Sequence, residues 1–223
     1  MKKILILTVL LINTISWSQV SKNLGEFDNI SVFDRISVQL IPSDENRIEI
    51  SGSRANDVEL INKNGTLKIR MALRKLLDGE DVSAKLYFKT ISSIDANEGS
   101  YVICDEPLKL TAIKVNAIEG SEIRLNLDVK KANLRAVTGG ILKIKGMATN
   151  SDVSIGTGGV LQAMDLQTVQ TTVKITTGGE ADVRASELVD AKVRAGGNIT
   201  IFGSPTEINK NITLGGSITE SKR

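Results

Sequence analysis

Thr138-Gly139-Gly140-Ile141-Leu142-Lys143-Ile144 is answered one repeat later by Thr157-Gly158-Gly159-Val160-Leu161-Gln162-Ala163, and this echo decides the fold. The same Gly-centred motif recurs on both sides, at Glu98-Gly99-Ser100, Glu119-Gly120-Ser121, Thr177-Gly178-Gly179, Ala195-Gly196-Gly197 and Leu214-Gly215-Gly216. First glycines are separated by 21, 19, 19, 20, 18 and 19 residues. Self-similarity at a near-constant period of this length marks a stacked repeat array.

Aligning the copies on the glycine tests that reading, because a stack must place similar side chains in vertical columns. Three residues after the first glycine stand Val102, Ile123, Leu142, Leu161, Ala181, Ile199 and Ile218, and two further on Cys104, Leu125, Ile144, Ala163, Val183 and Ile201. Before the glycine, the first five copies carry Ala96, Ala117, Ala136, Ile155 and Ile175, then Ile94, Val115, Leu134, Val153 and Val173. For the last two copies the expectation is a loss of two residues just before the glycines, with Val193 and Ala195, then Ile212 and Leu214, keeping the alternation. Intervening positions such as Lys143, Gln162, Asp182 and Thr200 are polar. Period-two alternation on both sides of a glycine describes two short strands joined by a bend. Glycine supplies the positive φ or close approach the bend needs, and neighbouring Thr or Ser can cap it. A third segment, Leu108–Leu110, Leu127–Val129, Leu166–Val169 and Leu188–Ala191, returns the chain. The expected architecture is therefore all-β: a single right-handed parallel β-helix, or β-solenoid, of about seven rungs of about 19 residues.

Composition agrees. Hydrophobic residues make up 41% of the 223 but aromatic ones only 3%, which suits a narrow aliphatic core. Upstream, Ile30–Phe33, Ile36–Ile41, Arg47–Ile50, Val58–Ile61, Leu67–Met71 and Leu86–Lys89 read as strands, with Asn64-Gly65 as a tight turn and Ala72–Leu77 as a loop. No Pro, Gly or Ser linker separates these strands from the repeats, so residues 19–93 are expected to cap or start the solenoid, 94–219 to form it and 220–223 to be a charged tail that blunts its open end.

Lys2 and Lys3, the apolar run Ile4–Ile12 and the small residues around Ser16-Trp17-Ser18 have the form of a secretory signal over residues 1–18, cut before Gln19. The apolar run is shorter than the roughly 20 residues of a membrane-spanning helix, which disfavours an uncleaved anchor, and no other stretch could span as a helix. Export to the periplasm or the cell surface follows as an expectation. Without Lys2 and Lys3 the chain holds 26 basic residues against 26 acidic, a balance that gives nucleic acid or an anionic membrane no long-range pull.

The opening Phe27-Asp28-Asn29-Ile30-Ser31-Val32, the strand Ile36–Leu40, the turn Asn64-Gly65-Thr66-Leu67-Lys68-Ile69 and the closing Gly196-Gly197-Asn198-Ile199-Thr200-Ile201-Phe202-Gly203-Ser204-Pro205 resemble the head GIN domain family of auto-transporter adhesins. The likeness spans residues 26 to 219. It implies an exported β-helical domain with surface binding as its role, and supplies no catalytic residues to carry over. The chain stops just after the repeat, so no translocator barrel is expected within it.

The residues themselves favour no chemistry. The sequence contains no histidine, which removes the commonest general base and metal ligand. Cys104 stands alone and reads as a buried structural thiol. Outward positions Asp95, Asn116, Arg135, Ser154 and Lys174 hold no paired acid of the kind polysaccharide-active enzymes use. Glu98 and Glu119 fall on adjacent corners and read as solvated carboxylates, Asp105 and Glu106 as loop residues, and Thr138, Thr157 and Thr177 as corner caps rather than an ice-binding array. The double glycines lead into no helix and so cradle no phosphate. No catalytic, cofactor or metal residue is therefore assigned. The expected function is a non-enzymatic envelope or surface binder of a glycan or an envelope protein, with a self-assembling scaffold and a polysaccharide-active enzyme as successively weaker alternatives; the oligomeric state is left open.

Overall fold

The structure, a computed structural model, describes residues 19–221; the leader expected over 1–18 and Lys222-Arg223 of the charged tail lie outside the described residues. The strands are β1 (Gln19–Asn23), β2 (Asn29–Val32), β3 (Ser37–Pro42), β4 (Arg47–Ser51), β5 (Val58–Lys63), β6 (Thr66–Met71), β7 (Ser83–Phe88), β8 (Ser93–Ala96) and β9 (Tyr101–Ile118). They continue with β10 (Glu122–Val137), β11 (Ile141–Gly156), β12 (Val160–Gln162), β13 (Leu166–Ile175), β14 (Glu180–Arg184), β15 (Leu188–Ala195), β16 (Asn198–Phe202), β17 (Glu207–Leu214) and β18 (Ser217–Glu220). They form a β-solenoid of about seven turns with rungs about 19 residues apart.

One face stacks β6, β2, β8, the second halves of β9, β10 and β11, then β13, β15 and β17, all parallel. A second face stacks β7, β3, the first segments of β9, β10 and β11, then β12, β14, β16 and β18. A return side carries the Leu108, Leu127, Gly146 and Leu166 column. The aliphatic columns read from the sequence are the core: Val102, Ile123, Leu142, Leu161, Ala181 and Ile199 are all at most 1% exposed. Burying each such side chain is worth about 1.5–3 kcal/mol, summed along a continuous column.

Each corner is turned by two successive residues at positive φ, such as Thr138 (50°) with Gly139 (74°). The residue after Gly139 has a different constraint: a Cβ on Gly140 would lie 2.1 Å from the Ala117 carbonyl oxygen of the coil below. In the earlier coils that place is filled by serine. Ser121 Oγ donates to the Ala96 carbonyl at 2.7 Å and accepts from Ile118 N–H at 2.9 Å, and Ser100 Oγ donates to the Val32 carbonyl at 3.1 Å. Corner carbonyls are thus capped by Ser100, by Ser121 and, through Thr176 Oγ1 donating to the Ile155 carbonyl at 3.3 Å, by Thr176, while Thr138 and Thr157 themselves occupy the left-handed position.

An eighth corner precedes the glycine series. Asp34 (φ 60°) and Arg35 (φ 63°) turn the first coil without glycine, and Arg35 N–H donates to the Glu98 carbonyl of the next at 3.0 Å. The Asp34 carboxylate, 1% exposed, accepts from Met71 N–H and Leu77 N–H, both at 2.9 Å. It thereby ties down the expected loop Ala72–Leu77, which contains one 3-10 turn over Leu73–Lys75.

Three details correct the alignment. Leu188–Ala191 is not a return segment: Leu188 pairs with Gln170 and Ala191 with Val173, on the first face. The two residues missing from that coil therefore fall on the return side, between Arg184 and Leu188, and Ala191 with Val193 keep the inward columns. Ile212 and Leu214, expected inside, are 46% and 71% exposed: no described coil lies over Ile212, and Leu214 follows Ala195 and Thr177 in a corner column that is not buried even where a coil covers it. The 21-residue interval arises at Asp105-Glu106, an exposed bulge between Cys104 and Pro107 in the pairing of β9 with β10. Cys104 is buried, its S–H donates to the Glu106 carbonyl at 3.4 Å, and burial pushes its thiol up to about 11.

The N-terminal end is built differently. β4 pairs antiparallel with β7 and with β1, and β5 antiparallel with β6 through Asn64 (φ 52°) and Gly65 (φ 74°).

Candidate functional site

Parallel pairing in register carries outward side chains, like inward ones, into straight rows. On the second face Lys85, Gln39, Ile103, Arg124, Lys143, Gln162 and Asp182 stand one above another on seven successive strands. At about 4.8 Å per strand the row is roughly 29 Å long. Beside it runs a second row, Ser51, Ser83, Ser37, Tyr101, Glu122 and Ile141. Its small serines leave a trough of about 340 Å³, walled by Tyr101, Glu49, Lys85 and Gln39. A second groove of about 540 Å³ continues it past Ile103 along Arg124, Lys143, Gln162 and Asp182.

The trough floor is hydroxyl-rich: Ser51 Oγ and Ser83 Oγ lie 2.9 Å apart, each able to turn its proton toward a ligand. The tyrosines, Tyr87 and Tyr101, both project from this face. Arg47 lies over the Tyr87 ring at 4.0 Å and Arg124 approaches that of Tyr101 at 5.5 Å. Burial raises the Tyr101 phenol above its ordinary value, so it remains a hydrogen-bond donor at neutral pH.

Two carboxylates of the face, Glu49 and Glu122, are held by cations. Arg47 bonds Glu49 and keeps its carboxyl below the usual range. Burial pushes Glu122 upward, but Arg124 at 2.5 Å and Lys143 at 3.0 Å outweigh it and hold it low. Both stay ionised, so the face offers fixed acceptors (Glu49, Glu122) and fixed donors (Lys85, Arg124, Lys143).

Residues weighed in the sequence fall elsewhere. Asp95 and Asn116 lie on the first face, where Asn116 Nδ2 donates to Asp95 and Ser31 Oγ donates to it at 3.5 Å. Glu98 and Glu119 line a corner column whose third carboxylate, Asp34, the sequence did not reveal; burial and then Asp34 and Glu119 raise the Glu98 carboxyl. Lys143, Gln162 and Asp182 were legible as outward positions. Lys85, Gln39 and the serines were not, because their coils lack the glycine marker.

Residues 26–205 match the family described as "Putative auto-transporter adhesin, head GIN domain". Among solved structures, a "putative adhesin" from Bacteroides fragilis superimposes with TM-score 0.85 at 18% identity, covering 93% of this chain and 98% of that one. A "putative adhesin" from Parabacteroides distasonis gives 0.70 at 22%, covering 92% and 97%. A "putative lipid binding protein" from the same species gives 0.68 at 17%, again covering 92% and 97%. No curated protein sequence matches the chain.

Proposed function

This chain belongs to the head GIN domain family, and from that premise we propose that it is an exported, non-catalytic binding module that lays an extended glycan along its second face. The observation that carries the reading is the serine-floored trough with Tyr101 at its edge. A polyhydroxylated ligand needs interleaved donors and acceptors for its hydroxyls and an amphipathic ring for its C–H faces; Ser37, Ser51, Ser83, Glu49 and Lys85 supply the first and Tyr101 the second. The row through Arg124 and Lys143 extends the contact over several rungs, as solenoid faces do for long ligands.

Catalysis is disfavoured by the same electrostatics. A glycosidase acid must hold a proton near neutral pH, which requires a raised carboxyl, whereas Glu49 and Glu122 are both lowered. Export rests on the Lys2-Lys3 leader pattern and the family's adhesin description.

The test is retention of the chain from Gln19 on immobilised envelope polysaccharides. Binding that drops roughly tenfold or more in Tyr101→Ala with Arg124→Ala, with unchanged melting temperature, supports the reading. Equal retention of the variant, or retention of no glycan, refutes it.

A further inference from the structure

We propose that the first face carries a second binding site, one for the acidic sugar residues of a glycan, in a groove separate from the serine-floored trough. One outward row of this face runs Lys68, Ser31, Asp95, Asn116 and Arg135 on five successive strands. At about 4.8 Å per strand, the cations at its two ends stand about 19 Å apart. Between them lies a groove of about 450 Å³, flanked by Lys114 on one side of the row and by Phe33 and Ile118 on the other. Lys68, Lys114 and Arg135 are exposed, and none has an ion-pair partner among the described residues. Beyond Arg135 the row continues through Ser154 to Lys174, an exposed cation equally unpaired among the described residues. Uncompensated cations gathered on one face draw an anion to it, even in a chain whose total charge is nearly balanced.

The floor of the groove decides which anion. Ser31 and Asn116, each 7% exposed, both donate to the Asp95 carboxylate, Ser31 at 3.5 Å. Asp95 has no ion-pair partner among the described residues, and its oxygens keep lone pairs beyond those two bonds. A bare phosphate or sulfate seated on this floor would face that carboxylate and be repelled. A ligand that suits both levels brings hydroxyl donors down to Asp95 and holds its own negative group out at the rim, where Lys114 and Arg135 stand on neighbouring strands. Phe33 and Ile118, both half-buried, offer apolar surface to the C–H face of a ring. Hydroxyls, an apolar ring face and a carboxylate or sulfate ester in one unit describe an acidic sugar. An anionic membrane surface would meet the rim cations and leave the floor unused. The site stands whether or not the second face binds a glycan.

Calorimetric titration of the chain from Gln19 tests this with oligosaccharides bearing galacturonate, glucuronate, sialate or sulfate ester groups. Each is compared with its carboxyl-reduced or desulfated counterpart, so that only the acid-dependent part of binding is read. At least one acidic oligosaccharide should bind roughly tenfold or more tightly than its neutral counterpart, the scale of hydrogen bonds to charged groups. Lys114→Gln with Arg135→Gln should abolish that difference without moving the melting temperature, since both side chains are exposed. The difference should survive Tyr101→Ala with Arg124→Ala, which separates this groove from the trough of the second face. Inorganic polyphosphate and phosphatidylglycerol vesicles, which carry charge without a sugar ring, should bind more weakly than the best oligosaccharide. The proposal is overturned by no acidic preference in any pair, by a preference that persists without Lys114 and Arg135, or by one lost with Tyr101 and Arg124 instead. Polyphosphate or vesicles bound as tightly as the best oligosaccharide would also overturn it.

Discussion

Lys210 Nζ donates to Glu220 Oε1 at 2.6 Å across the open end of the core. Both side chains occupy inward columns: Lys210 stands over Ala191 and Glu220 over Ile201, which are 0% and 1% exposed. The last described coil thus places an ion pair where the coils below have buried apolar side chains. Inward-pointing charge is a known way to stop edge-to-edge growth, since a copy stacked directly above would desolvate both ions. Replacing the pair with leucine (Lys210→Leu with Glu220→Leu) should extend the apolar columns to the surface. Light scattering should then show mass rising with concentration; a variant that scatters like the parent would mean that the pair guards nothing.

The two glycines of one corner should respond oppositely to substitution. Gly139 needs a positive φ but has open space around it, its nearest neighbour being Gly120 at 3.9 Å, so Gly139→Asn should cost about 1 kcal/mol or less. Gly140→Ala drives a methyl into the Ala117 carbonyl at 2.1 Å, and relief requires separating two coils. A loss of about 3 kcal/mol or more is expected, on the scale of severe overpacking. Chemical denaturation of the two variants checks the order.

Inward and outward neighbours on one strand should likewise part company. Ile144 is 2% exposed within its column, so Ile144→Asp buries a charge without a partner and should cost about 3–5 kcal/mol or prevent folding. Lys143, next in sequence, points outward and bridges Glu122 at 3.0 Å. Lys143→Gln should lose no more than about 1 kcal/mol. Similar melting temperatures for the pair would contradict the alternation of β11.

The glycine series made the stacked coils legible because tight corners accept few residue types and the period-two pattern then fixes what faces in. The first corner escaped because Asp34 and Arg35 reach the same left-handed conformation without glycine, held by the bonds of Asp34 to Met71 and Leu77 from far along the chain. The candidate site was half visible for the same reason. Arg124, Lys143, Gln162 and Asp182 follow from the repeat, whereas Ser83 and Lys85 reach the rows through the parallel pairing of β7 with β3 and Ser51 through the antiparallel pairing of β4 with β7, relations that no local pattern specifies. Ile212 departs from the expectation because a column position is buried only when another coil covers it, and Leu214 because its column, through Ala195 and Thr177, runs along a corner.

The Glu98 carboxylate makes stability depend on pH in a definite direction. Burial, and then repulsion from Asp34 and Glu119, raises the Glu98 carboxyl above its ordinary value in the folded chain. The native state therefore binds the Glu98 proton more tightly than the unfolded state does, so this group's contribution falls as pH rises through the acid range and is best below it. Glu98→Gln removes the penalty while keeping the side chain's shape, and should raise neutral-pH stability by no more than about 1 kcal/mol, given the partial exposure. The gain should vanish toward pH 4, where Glu98 of the parent is protonated. Denaturant midpoints at neutral and acid pH measure it; a gain that persists at acid pH would place the effect in packing rather than in charge.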